Sequence, residues 1–243
     1  WFFPIAIATG NTVVLKPSEK DPSAALWLAK LWKEAGLPDG VFNVLQGDGS
    51  TGRLLTRHPD IAKISLTGEV GTGKKVMADA AATLKQVTLE LGGKSPLVIF
   101  DDASLDDAVS AAMLANFYSA GEVCSNGTRV FVQEGVHAEF LKRLKERTER
   151  LVVGDPLDPA NHLGALVDSA HCRKVAGYLK GKAVAGGGKP KGNFIEPTVY
   201  EVKKDDKRAG EEIFGPILSV IEVASGMPFD AFVQARIFAP LKM

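Results

Sequence analysis

The chain has 243 residues, 45% hydrophobic and 24% charged, an ordinary balance for a globular protein with room for one large core or two modest ones. Lys plus Arg and Asp plus Glu number 29 each, so no net field draws nucleic acid or an anionic membrane surface. Cys124 and Cys172 stand far apart in no metal-type spacing, which offers no metal site and points to a reduced, cytoplasmic setting. The apolar opening Trp1-Phe2-Phe3-Pro4 is broken by proline and ends at Thr9-Gly10-Asn11, too short for a membrane span. The missing initiator Met suggests a fragment of a longer protein.

In chain order, residues 11–16 (NTVVLK) read as a buried strand stopped by Pro17. Asp21-Pro22 predicts a helix start, and the helix runs to Gly36 with Leu28, Leu31, Trp32 and Ala35 on one stripe. Residues 41–45 form a second strand, 47–52 (GDGSTG) a plain loop, and 60–67 a third strand in which Ile64 and Leu66 alternate. A helix follows from Gly71, then a strand over 85–91. Strand 96–100 leads to a long helix opened by Ser104 with Asp107 three residues on, a capping-box variant. That helix ends near 119–121, which puts Cys124 on a loop entering strand 128–132. An amphipathic helix over 136–151, a loop over 154–161, a helix over 168–181, a flexible turn over 186–193 and strands at 197–200 and 217–223 complete the reading. Strand–helix alternation of this kind indicates parallel sheet wrapped by helices.

Several residues carry candidate chemistry. Cys124, on a Ser/Asn/Gly-rich loop after a helix, has the setting of an activated thiol, whereas Cys172 in mid-helix reads as packing. Cys172 and His171 are helix neighbours and do not face each other as a catalytic pair. Glu90 ends an apolar strand, where a carboxylate needs a partner or a raised pKa and suits a general base. The segment 68–75 (GEVGTGKK) nearly matches a P-loop, but Lys75 stands where Ser or Thr should bind magnesium, which argues against an NTPase. As a strand–turn–helix, Gly68 and Gly73 let a pyrophosphate approach the backbone N–H groups of the helix start. Lys16 and Glu19, just past a strand, suit the hydroxyls of an adenosine ribose; a surface ion pair is the plainer alternative. A thiol that captures a carbonyl, a cofactor that takes a hydride and a base that releases the product together oxidise an aldehyde.

The motifs KPSE (16–19), ISLTGEVGTG (64–73), LELGGKSP (89–96), GEVCSNGTRVFV (121–132) and EEIFGP (211–216) resemble the aldehyde dehydrogenase superfamily in order and spacing. Residues 40–223 are most similar to its betaine aldehyde branch, while the opening resembles the CoA-ester-forming methylmalonate-semialdehyde branch. The resemblance implies an α/β fold with a partial Rossmann-type NAD-binding domain over 1–92 and an α/β catalytic domain over 93–243, incomplete at its end. It further implies Cys124 as nucleophile, Glu90 as base, Lys16 and Glu19 at the adenosine ribose, and Gly68 and Gly73 under the pyrophosphate. Glu212 is then expected at the nicotinamide ribose and Phe214 beside the nicotinamide. The cofactor is NAD, with NADP open, because Glu19 disfavours a 2′-phosphate and Lys16 offsets it.

The implied substrate is a small-molecule aldehyde, with a truncated nucleotide binder or a CoA-acylating enzyme as alternatives. Phe117 and Tyr118 are candidates for an aromatic cage around a quaternary ammonium. Three departures stand out. Glu69 places a carboxylate beside the expected pyrophosphate, Ala165 replaces a proline, and the family's oxyanion-hole Asn and its oligomerisation segment are missing. Without that Asn the rate should fall roughly 10²–10³-fold, and unpaired sheet edges should favour aggregation.

Overall fold

A computed structural model describes residues 2–223 together with residues 234, 235 and 239. Trp1 and the rest of the stretch beyond Val223, where the expected end of the catalytic domain falls, lie outside the described residues. The chain divides into two compact units, residues 1–92 and 93–243.

The first unit is a thin α/β layer. Its elements are α1 (Phe2–Ala8), β1 (Val13–Leu15), α2 (Ser23–Glu34), β2 (Phe42–Val44), α3 (Gly49–Arg57), β3 (Lys63–Gly68), α4 (Val70–Ala81) and β4 (Gln86–Leu91). β1 pairs in parallel with β2, and β3 in parallel with β4, as two separate two-stranded sheets. Among the described residues of this unit, every strand is therefore an edge strand.

Such narrow sheets cover little. The expected apolar stripe on α2 is half realised: Leu28 and Trp32 are half-buried, but Leu31 and Ala35 are exposed, and Ala25 is the buried residue. Trp32 packs instead in an aromatic cluster with Phe42 and Phe3, at ring distances of 4.9 and 5.8 Å.

The opening, to which the sequence reading assigned no element, is helical, because Pro4 falls in the first turn of α1, where its missing N–H costs nothing. Two local readings are corrected here. Residues 47–52 are the start of a helix, not a loop: Asp48 caps α3 by accepting the Ser50 N–H at 2.8 Å. The helix over 21–36 starts one residue late, with Pro22 at the cap and no capping side chain.

The second unit holds the main core. A four-stranded, all-parallel sheet runs in the order β5 (Pro96–Ile99), β6 (Arg129–Gln133), β8 (Ile217–Val223), β7 (Thr198–Glu201). Val130, Val132, Val199 and the run Ile217–Ile221 are buried, the near-continuous apolar pattern of strands covered on both faces. α5 (Leu105–Phe117), α6 (Glu134–Thr148), α7 (Ser169–Ala176) and the single turn α8 (Lys207–Gly210) complete the unit. Phe140 and Leu144 of α6 are fully buried, as its periodicity predicts. Cys172 is buried, consistent with a packing role.

Ser104 sits at the N-cap of α5 without making the expected side-chain bond; Asp106 and Asp107 instead place negative charge on the first turn. α7 ends at Ala176, capped by Gly177, five residues short of the expected end. The turn over 186–193 is pinned, not loose. Gly186 has φ +67°, a Cβ there would meet the Pro197 carbonyl oxygen at 2.2 Å, and the Gly188 N–H donates to the Glu196 carboxylate.

Candidate active site

In the first unit, the candidate residues gather at the carboxyl ends of parallel strands, where α/β sheets bind ligands. Lys16 follows β1, and its ammonium lies 3.8 Å from the Glu19 carboxylate, so the structure brings this pair together. The ammonium also donates to the Pro17 and Gly47 carbonyls at 2.6 and 2.8 Å, tying the KPSE segment to the turn before α3. Gly68 closes β3. Gly73 is buried inside α4, where its N–H already bonds the Glu69 carbonyl at 3.0 Å. The reason for a glycine there is thus corrected: a Cβ would come within 2.8 Å of the Leu91 side chain, so Gly73 serves helix–strand packing. The N–H groups left unpaired at the helix start belong to the turn beginning at Val70. Glu69 caps that helix with no side-chain bond and is exposed. Glu90, on β4, is exposed as well, so the burial argument for a forced partner does not apply to it.

In the second unit, the candidates cluster at the opposite, amino ends of the strands. Gly93 precedes β5, Cys124, Asn126 and Thr128 precede β6, and Glu212 and Phe214 precede β8; together they line one cleft. The cleft encloses about 10 Å³, room for a single water.

The geometry of the loop explains why a cysteine can stand there exposed. α5 ends at Phe117, and Ser119, Ala120 and Gly121 all take left-handed backbone, with φ of +51°, +54° and +76°. Side-chain-bearing residues pay for that conformation. Gly121 pays nothing in strain but cannot be replaced, since a Cβ would meet the Gly215 carbonyl oxygen at 2.3 Å. Two backbones thus touch at this point, the cysteine loop and the EEIFGP segment. Asn116, fully buried, bolts the loop down: its amide donates to the Ala112 and Gly127 carbonyls at 2.8 and 3.0 Å.

The EEIFGP segment is held just as firmly. Ile213 is buried, and the Glu211 carboxylate accepts from the Tyr178 hydroxyl at 2.6 Å. Burial and that hydrogen bond push the Tyr178 hydroxyl up to about 12, so it stays a donor throughout the physiological range. Glu212, next in sequence, is half-buried and accepts from the Gly93 N–H at 3.3 Å. Phe214 has φ +58°, unusual for a bulky residue, and its carbonyl accepts from the His171 ring at 2.6 Å. His171 also stands 3.3 Å from the Glu122 carboxylate. The Cys172 sulfur takes a different partner, the Gly192 carbonyl at 3.5 Å.

Sequence reading missed Asn116 and Lys94, and weighed His171 only against Cys172. Asn116 left a trace, a polar residue on the apolar face of α5; His171 and Lys94 act through contacts between distant segments. Of the aromatic-cage candidates, Phe117 is core and unavailable, whereas Tyr118 is exposed. Among the described residues, no group of three or more His, Cys, Asp or Glu could hold a metal ion, and no helix is long and apolar enough to cross a membrane.

Several known proteins resemble this chain. The sequence profile of the aldehyde dehydrogenase family matches residues 1–229. A betaine aldehyde dehydrogenase of Rhizobium leguminosarum bv. trifolii (strain WSM2304) is 57% identical over 234 residues, covering 91% of this chain and 48% of that protein. One from Vibrio vulnificus (strain YJ016) is 52% identical over 243 residues, covering 91% and 50%. Among solved structures, gamma-glutamyl-gamma-aminobutyraldehyde dehydrogenase from Burkholderia cenocepacia J2315 superposes with a TM-score of 0.90 at 44% identity, over 96% of this chain and 49% of that one. A betaine aldehyde dehydrogenase from Staphylococcus aureus, in complex with NAD+ and with a BME-modified cysteine, gives 0.90 at 32% identity, over 96% and 50%. The chain spans about half the length of the curated relatives it matches. With its motifs, its parallel sheets and these relatives in agreement, the chain belongs to the aldehyde dehydrogenase family.

Proposed function

We propose that this chain carries the residues of an NAD(P)-dependent aldehyde oxidation that runs through a Cys124 thioester. The observation that carries the reading is the exposed thiol on a backbone-locked loop, sharing one cleft with Glu212 and Phe214.

Each unit offers residues suited to part of a dinucleotide. Lys16 and Glu19 offer a cation and a carboxylate to one ribose. The start of α4, with Gly68 before it, offers unpaired N–H groups to a pyrophosphate. Glu212 offers a half-buried carboxylate to a second ribose, and Phe214 a ring edge to the nicotinamide. When bound, the cofactor accepts the hydride that leaves the aldehyde carbon.

The rest of the chemistry belongs to the side chains. The Cys124 thiolate adds to the carbonyl carbon, forming a C–S bond and an alkoxide. The alkoxide re-forms the C=O as the hydride departs, leaving a thioester. Glu90 takes a proton from water, the hydroxide adds to the thioester, and the thiolate leaves with the carboxylic acid as product. Thiolate is a good nucleophile and a good leaving group, so the same sulfur serves both halves. Tyr118, exposed beside the loop, is the aromatic side chain available to a quaternary-ammonium aldehyde.

The test is NADH production from a panel of aldehydes, betaine aldehyde included, with and without CoA. Cofactor reduction with free acid as product supports hydrolysis; acyl-CoA as product moves the reading to the acylating branch. Binding of NAD without turnover of any aldehyde contradicts the enzymatic reading.

Glu69 supplies a graded check. Its carboxylate stands at the start of α4, where an incoming pyrophosphate must go. Glu69→Gly is expected to tighten NAD binding about threefold at low ionic strength, with the gain shrinking in high salt. Titration calorimetry at two salt concentrations measures it; an unchanged or weaker affinity removes the pyrophosphate from this turn.

A further inference from the structure

Lys94 lies between the two glycines of LELGGKSP and β5, and its ammonium is buried with no hydrogen-bond partner among the described residues. An orphaned buried cation is costly and survives where something useful depends on it. Two charged groups face it, the Arg129 guanidinium from β6 and the Glu212 carboxylate from the segment before β8. Arg129 is committed elsewhere, donating to the Lys94 backbone carbonyl at 2.9 Å and resting against the Phe131 ring. Glu212 receives the Gly93 N–H, the residue next to Lys94, at 3.3 Å. One short stretch of backbone thus brings Glu212 both a hydrogen bond and a buried positive charge.

We infer that Lys94 is the positioning residue for Glu212, its buried ammonium keeping that carboxylate turned toward the cleft to receive a ribose diol. The inference rests on the dinucleotide reading above and deepens it. Desolvation, with Arg129 adding to it and Glu212 opposing, lowers the Lys94 amine from its usual range to about 8. The ammonium is therefore present below about pH 8 and lost above it, and the grip on the cofactor is lost with it.

The same burial sets the sign of a stability effect. Between about pH 8 and the ordinary lysine range, the unfolded chain binds a proton that the folded chain does not. The ammonium's cost to the fold is then largest below pH 8 and fades as pH rises toward 10. Lys94→Met, similar in volume and without the charge, removes that cost.

The experiment is calorimetric titration of NAD into the wild-type chain, Lys94→Met, Glu212→Gln and the double variant between pH 6.5 and 9.5, with thermal melts of each. Lys94→Met is expected to bind NAD about tenfold more weakly at pH 7 while melting higher. Wild-type affinity should fall toward the Lys94→Met value above pH 8, and the double variant should bind no worse than Glu212→Gln. Wild-type affinity in Lys94→Met, or additive losses in the double variant, overturns the inference while leaving the dinucleotide reading standing. No NAD binding by the wild-type chain at any pH overturns the dinucleotide reading itself, and this inference with it.

Discussion

Cys124→Ala is expected to abolish aldehyde-dependent NADH formation, a loss of at least about 10⁴-fold, because no other group can form the thioester. The loss should come without unfolding. Cys124 is exposed and in a loop, so its truncation should leave the melting transition nearly unmoved. The other thiol is the internal control. Cys172 is buried in α7, its sulfur 3.5 Å from the Gly192 carbonyl, and should resist alkylation in the folded chain while Cys124 reacts. Peptide mapping after iodoacetamide distinguishes the two. Full NADH production in Cys124→Ala, or preferential labelling of Cys172 in the native state, would refute the assignment.

Gly121→Ala is expected to be strongly damaging to the second unit. The added carbon would lie 2.3 Å from the Gly215 carbonyl oxygen, 2.4 Å from its carbon and 2.9 Å from the Asn116 carbonyl oxygen. All three are backbone atoms, so no side-chain rotation relieves the clash. The left-handed φ of +76° adds its own cost for a residue with a Cβ. Together these should remove about 3 kcal/mol or more from the stability of the unit. The comparison variant is Gly127→Ala in the same loop, where the nearest atoms are side-chain carbons at 3.3 and 3.5 Å. It should cost under about 1 kcal/mol. Urea denaturation of both variants measures the difference, and equal midpoints would show that the two backbones do not meet as described.

The element order was legible because the strands are short β-branched runs bounded by glycine and proline, and the helices keep their apolar period. α3 was not, because a segment with three glycines in six residues reads as a turn until the Asp48 cap is seen to hold it helical. α1 was missed for a related reason: a proline ends a helix in its interior and is harmless in its first turn. In the site, Cys124, Glu212 and Phe214 were legible as motifs, but what fixes them was not. The positive φ of Phe214, the hydrogen bond from His171 and the contact of Gly121 with Gly215 all arise from segments that meet only after folding. Lys94 carried no distinguishing pattern at all, since a lysine in a Gly-rich turn usually faces water; its burial is a tertiary property. Gly73 shows the converse, a glycine singled out for a pyrophosphate where the packing against Leu91 gives another reason for it.

In the proposed reaction one sulfur is acylated and one carboxylate lets water remove the acyl group. Glu90→Gln keeps the shape of an exposed side chain and deletes the base. Incubated with aldehyde and NAD+, this variant should release one equivalent of NADH and stall. Intact mass should then show the aldehyde's mass less two hydrogens, mapped to the peptide that contains Cys124. Continued turnover at the unaltered rate, or an acyl group found on any residue other than Cys124, would contradict it.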